Sequence, residues 1–252
     1  MTNALLMSSS RMGSLGYLEH AAPQLNTVLE GTSRKVLFVP YAAVSFSYDT
    51  YEDLAAPPFT AVDAELTSIH RFDDPVAAVR AADVIAIGGG NSFALLNRLY
   101  GAELVREIRT QVTERGTTYI GWSAGTNVAT PTIRTTNDMP IVEPPSLSAI
   151  GLVPFQINPH FISGKPAGHN GESREERLAE FTAINPGEEV LAIVEGTALH
   201  VTGSRGTILS NAALDSAGSH SADGLVFANA AEPRTIAAGE SFELSEISGP
   251  VI

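Results

Sequence analysis

Short unbroken apolar runs recur along the chain: Ala4-Leu5-Leu6-Met7, Lys35-Val36-Leu37-Phe38-Val39-Pro40, Asp83-Val84-Ile85-Ala86-Ile87 and Val190-Leu191-Ala192-Ile193-Val194. A strand with one wet face alternates apolar and polar residues, whereas strands of a parallel sheet covered on both faces read as continuous runs. These four segments, with a shorter strand over Ala64–Ile69, are therefore predicted to be buried strands. Helical patterns lie between them. Tyr17, Leu18, Leu25, Val28 and Leu29 mark a mixed helical segment, and Tyr48–Asp53 opens a helix before Pro57-Pro58. Asp74-Pro75 starts another helix that runs through Arg80, with aspartate as cap and proline in the first turn. Phe93, Leu95, Leu96 and Leu99 repeat at helical spacing, and Leu104–Val112 is a further amphipathic helix stopped by Gly116.

The second half continues the alternation. Thr117-Thr118-Tyr119-Ile120 is a strand running into Gly121 and followed by small helix-compatible residues, whereas Thr130–Pro145 is polar, proline-rich and predicted to be a long loop. Ile150–Ile157 is predicted as a strand delivering Asn158-Pro159-His160-Phe161, and the charged run from Gly171 to Leu178 opens a helix reaching Ile184. From Leu199 onward, β-branched residues and glycine turns predict hairpins. The pattern as a whole predicts one α/β domain over 1–252. Its core is a doubly wound, mostly parallel sheet with helices on both faces, and 199–252 form a β-rich C-terminal hairpin appendage.

Composition narrows the chemistry. The chain has 252 residues, no cysteine, and a formal net charge of −13. Without cysteine there is neither a thiolate nucleophile nor a cysteine zinc site, so covalent catalysis falls to hydroxyls or carboxylates. The acidic balance speaks against nucleic acid and anionic membrane surfaces as partners. No basic leader precedes the first apolar patch and no window approaches the ~18 apolar residues of a membrane span, which predicts a cytoplasmic protein.

In doubly wound sheets ligands bind beyond the carboxyl ends of strands. Four junctions fall there: Gly88-Gly89-Gly90-Asn91, Ser123, His160 and Glu195. Gly121-Trp122-Ser123-Ala124-Gly125 is a Gly-x-Ser-x-Gly pentad between a strand and a helix, the pattern of a nucleophile elbow. By chance such a pentad arises on the order of 0.1 to 0.2 times in a chain this rich in glycine, so its context carries the weight. A serine needs a base, and His160 is the best placed of the histidines, ahead of His169 in the loop beyond it. The carboxylate that would orient the imidazole is either Asp138, in the long loop, or Glu195, which ends a strand as Ser123 does and is the better placed of the two. The glycine triplet can lend a backbone N–H to an oxyanion hole beside that of Ala124. His160, His169, Glu172 and Glu176 lack a His-Glu-x-x-His spacing, so no metal and no other cofactor is expected.

These residues resemble the peptidase E family of α-aspartyl dipeptidases, serine peptidases with a fold similar to class I glutamine amidotransferases. The resemblance rests on Gly88–Asn91, Tyr119–Gly125, the run Pro131-Thr132-Ile133-Arg134-Thr135-Thr136-Asn137-Asp138-Met139-Pro140-Ile141, Ile157–Phe161, and Gly168–Glu172 with Arg174, and it covers roughly residues 4–210. It implies metal-free hydrolysis of dipeptides with N-terminal aspartate (Asp-Xaa), with Ser123 as nucleophile and His160 as base. It leaves both Asp138 and Glu195 as candidates for the acid. Gly89 and Ala124 match the oxyanion hole, and Arg174 a binder of the substrate aspartate; Arg134 and Asn91 are further candidates for substrate contact. A homodimer is the oligomer considered. The alternatives are a cyanophycinase-like hydrolase of β-aspartyl peptides and a non-catalytic binding member.

Overall fold

The computed structural model describes residues 1–165, 168, 170–211 and 223–250. Five parallel strands form the centre: β1 (Asn3–Met7), β2 (Lys35–Val39), β3 (Glu65–Ser68), β4 (Val84–Ile87) and β5 (Thr118–Trp122), in the order β1-β5-β4-β2-β3. Their side chains divide cleanly between two apolar clusters. Ala4, Leu6, Leu37, Val39, Ile85 and Ile87 join one, and Leu5, Met7, Val36, Phe38, Val84 and Ala86 join the other. Each run is continuous because each face has its own cover.

On one face lie α1 (Ala22–Val28) and α2 (Tyr48–Thr60); on the other lie α3 (Pro75–Ala81), α4 (Ser92–Gly101), α5 (Leu104–Thr110) and α6 (Ala124–Val128). The Asp74 cap is the one the sequence predicts, and Asn91 is a second cap it does not single out. Asp74 accepts from the Ala77 N–H and Asn91 from the Ala94 N–H, each replacing a bond that a free helix end would lack. The helix before Pro57-Pro58 runs on through both prolines to Thr60. The carbonyls those rings leave without donors belong to the exposed Asp53 and Leu54, and Tyr51, Ala55 and Phe59 remain a buried stripe on the inner side.

Two features differ from the sequence pattern. The strand predicted over Ile150–Ile157 begins only at Gln156, as β6 (Gln156–Phe161). The apolar residues before it form a strap whose N–H groups at Ile150, Leu152 and Gly151 donate to the carbonyls of Val128, Ala129 and Thr130. Those are the orphan acceptors at the end of α6, so they take the donors that a strand ladder would have used. The C-terminal strands, moreover, build into the sheets. β8 (Thr197–Thr202) pairs antiparallel with β1 and continues through β9 (Arg205–Ser210) to β12 (Ser241–Glu243), making an eight-stranded sheet. β10 (Gly224–Phe227) and β11 (Arg234–Ile236) join β7 (Val190–Val194) and β6 in a second sheet of order β11-β10-β7-β6. The final helix, α7 (Arg174–Ile184), starts with a reciprocal capping pair of Ser173 and Glu176.

Candidate active site

Ser123 stands between β5 and α6 with φ 55° and ψ −112°, a backbone state that L-residues adopt only when the surroundings hold it. Its N–H donates to the Met7 carbonyl at 3.1 Å, and the Thr126 hydroxyl donates to the same carbonyl at 2.7 Å, so the end of β1 anchors the turn. The flanking glycines are required by contact. A Cβ on Gly125 would lie 2.1 Å from the Ile87 carbonyl oxygen, and one on Gly121 2.7 Å from that of Gly125.

His160 lies inside β6, at an irregularity in its pairing with β7 between Asn158 and Phe161, and also has positive φ, 55°. Its N–H donates to the Ser8 hydroxyl at 2.8 Å, and that hydroxyl donates to the Ile193 carbonyl at 2.9 Å. Ser8 is wholly buried, so it bridges the first sheet to the second directly behind the imidazole. Ahead of it the three side chains form a hydrogen-bonded series: the Ser123 Oγ is 2.9 Å from His160 Nε2, and His160 Nδ1 is 2.8 Å from Glu195 Oε1. An ionised carboxylate accepts only, so Nδ1 carries the hydrogen and Nε2 presents a lone pair to the serine O–H. Glu195 occupies the turn between β7 and β8, where Gly196 has φ +80° and would drive a Cβ into the Met12 sulfur at 2.5 Å.

The N–H groups of Gly88 and Asn91 donate to the Val39 and Ala42 carbonyls, whereas those of Gly89 and Gly90 have no hydrogen-bond partner among the described residues. Gly89 abuts the elbow so closely that a Cβ there would stand 3.0 Å from the Ser123 Cβ. With the Ala124 N–H in the first turn of α6, donors converge on the serine from two segments.

A family model described as peptidase family S51 matches residues 4–209. The chain belongs to peptidase family S51. It is 52% identical over 210 residues to Peptidase E of Pasteurella multocida, covering 83% of this chain and 89% of that one. To Peptidase E of Haemophilus influenzae it is 51% identical over 207 residues, covering 82% and 94%. Among solved structures, a peptidase from an acI-B1 actinobacterium superposes with a TM-score of 0.67 at 19% identity, covering 96% of this chain and 97% of that one. At such identity the likeness speaks for the shared fold alone. Membership of family S51 makes the chain a hydrolase.

Within this S51 fold the candidate residues separate. Asp138 makes no hydrogen bond to His160: its Oδ2 accepts from the Ser92 N–H at 2.7 Å and the Thr136 hydroxyl at 3.1 Å, serving the N-terminus of α4. Asn91 caps that same helix and donates to the Met139 carbonyl, holding the long loop. Arg134 grips both oxygens of Glu188 at 2.6 Å and lies over the Phe181 ring, so its guanidinium is already paired. Arg174 opens α7 beside a cleft of about 280 Å³ lined also by Arg134, Asn137, Asp138 and Asn158, and donates to the Asn137 side chain. Burial and the neighbouring Arg177 pull its pKa down, against Asp138, which raises it. His169 falls outside the described residues. Ser8 is marked in the sequence only by its place at the polar end of a strand, and Asn158 only as a neighbour of His160, although its buried side chain ties the loop to β6 through the Thr135 carbonyl.

Among the described residues Asp49, Glu52 and His70 have ligand-capable atoms within 4.8 Å of one another. Arg71 already pairs with both carboxylates, at 2.6 and 2.8 Å, supplying the positive charge a metal would bring. No helix among the described residues is long and apolar enough to cross a membrane.

Proposed function

We propose that this chain is a serine-type dipeptidase that cleaves Asp-Xaa dipeptides, with Ser123, His160 and Glu195 as its catalytic residues. The observation that carries the reading is the hydrogen-bonded Ser123–His160–Glu195 series. Ser123 Oγ attacks the carbonyl carbon of the aspartyl residue while His160 Nε2 takes its proton, and the oxygen that gains charge is met by the N–H groups of Gly89 and Ala124. The C–N bond then breaks, the imidazolium returns the proton to the leaving amine, and an aspartyl ester remains on Ser123. Water repeats the sequence: His160 accepts its proton, the ester C–O bond breaks, and the proton returns to Ser123. Glu195 holds the Nδ1–H tautomer and balances the imidazolium in both halves.

Specificity is assigned to Arg174, whose planar fork can hold the substrate β-carboxylate through two parallel bonds. In Arg174→Met, kcat/KM for Asp-Leu is expected to fall about tenfold to several hundredfold, the loss of a charge-assisted pair of ~1.5–3 kcal/mol or more, while Asn-Leu loses far less. Equal proportional losses on the two dipeptides contradict the assignment. Turnover of β-Asp-Arg in preference to Asp-Leu by the unaltered enzyme contradicts the α-aspartyl reading.

A further inference from the structure

Beneath the glycine triplet three aromatic side chains form a hydrogen-bonded chain. The Trp122 Nε1–H donates to the Tyr17 hydroxyl at 2.8 Å, the Tyr17 O–H donates to the Tyr51 oxygen at 2.9 Å, and the Tyr51 O–H donates to the Gly89 carbonyl at 2.8 Å. The direction is fixed from its end, because a carbonyl only accepts: Tyr51 gives its one proton to Gly89 and can therefore only accept from Tyr17. Trp122 also lies 3.3 Å from the Tyr51 oxygen. Tyr51 and Trp122 are almost fully buried, packed edge-on and face-on respectively against Phe38. Burial pushes the Tyr17 hydroxyl up to about 12 and that of Tyr51 well above its ordinary value, so both keep their protons throughout the working range.

We infer that Tyr51 is a positioning residue for the oxyanion hole, fixing the peptide between Gly89 and Gly90, whose N–H is a third donor there beside those of Gly89 and Ala124, through the Trp122–Tyr17–Tyr51–Gly89 chain. This rests on the reading of Ser123 as nucleophile. In a trans peptide the carbonyl and the following N–H point opposite ways, so holding the Gly89 carbonyl down on Tyr51 turns the Gly90 N–H, which has no hydrogen-bond partner among the described residues, to the other side. Three successive glycines have no side chains to decide it for themselves, and Gly90 sits at φ +136°, open to glycine alone. A flipped peptide would present a carbonyl oxygen where charge develops. The tyrosine ring also fills the space under the loop: a Cβ on Gly88 would lie 2.5 Å from its hydroxyl oxygen. The chain begins at Trp122, the residue bonded to Ser123, and ends at Gly89, packed against the Ser123 Cβ, so nucleophile and donor are set by one network.

Tyr51→Phe removes a single oxygen and tests this. For Asp-Leu, kcat is expected to fall about ten- to hundredfold with KM within about twofold, somewhat less than the ~10²–10³ lost when an oxyanion donor is itself deleted. The α-boronic acid analogue of aspartate, which takes the Ser123 oxygen into a tetrahedral adduct, is expected to lose affinity by the same factor. L-aspartate, a ground-state ligand, is expected to keep its inhibition constant. A merely structural role would weaken both ligands alike, and that result, or an unchanged kcat, overturns the inference. If Tyr51→Phe does not fold, Tyr17→Phe gives the same reading without touching the loop: a several-fold fall in kcat and in boronate affinity supports the chain, and wild-type values overturn it. Failure of the boronate to inhibit the unaltered enzyme overturns the Ser123 reading instead.

Discussion

Replacing Glu195 by glutamine separates the two carboxylates that the sequence left in competition. The carboxylate oxygen lies 2.8 Å from His160 Nδ1, and the imidazolium formed during acylation places its charge ~4 Å from that of Glu195, worth ~4 kcal/mol at an effective dielectric near 20 and ~1 kcal/mol in bulk water. The Glu195 side chain is 52% exposed and that of His160 35%, so solvent screens the pair and the lower part of that range applies. A loss of ~1.5–3 kcal/mol predicts a fall in kcat/KM of about ten- to two-hundredfold, less than the ~10⁴ associated with buried triad aspartates. Asp138→Asn removes an anion from the N-terminus of α4, with ~0.3–1 kcal/mol at stake. It is expected to lower the melting temperature and to change kcat/KM by less than about fivefold. Steady-state hydrolysis of Asp-Leu, followed by release of free leucine, reads both variants. A larger loss in Asp138→Asn than in Glu195→Gln refutes the assignment of Glu195.

Ser8→Ala leaves the His160 N–H and the Ile193 carbonyl buried without partners, which is expected to cost about 2–4 kcal/mol in denaturant unfolding and about tenfold in kcat as the imidazole loses its anchor. Burial holds His20 and His200 below their ordinary 6.5, against a raising influence of Glu195 on His20. The folded protein thus binds fewer protons than the unfolded chain, and the stability this contributes is full above pH 6.5 and lost as pH falls below it. The carboxylates held below their ordinary 4.5, such as Glu107 and Glu175, contribute their loss only further down. Urea midpoints measured between about pH 7 and pH 5 are expected to decline in the wild type and to decline less in His20→Gln; parallel curves contradict this.

Where a short segment carries its own physical requirement, the sequence reveals it. The runs of β1, β2, β4 and β7 need cover on both faces, and the small residues of the elbow need the space that Ile87 and Gly125 leave. Contacts made across long separations left no such trace. Ile150–Phe155 has the composition of a strand, yet its donors go to the end of α6. The terminal hairpins read as an appendage because pairing of β8 with β1 joins opposite ends of the chain. Position at a strand end favours Glu195 over the loop residue Asp138 as sequence, but both stay open until the Ser92 N–H on one and the imidazole on the other distinguish them. Trp122, Tyr17 and Tyr51 resemble ordinary core aromatics until their polar atoms are seen to line up.

The most direct test of the mechanism is modification of Ser123 by a fluorophosphonate. Peptide mapping is expected to find one phosphonyl group, on Ser123, appearing at the rate at which Asp-Leu hydrolysis disappears, and excess L-aspartate is expected to slow both together. Ser123→Ala, folded by circular dichroism, is expected to take no label and to lose at least about 10³-fold in kcat. Labelling elsewhere with activity lost, or substantial turnover by folded Ser123→Ala, would contradict the account at its centre.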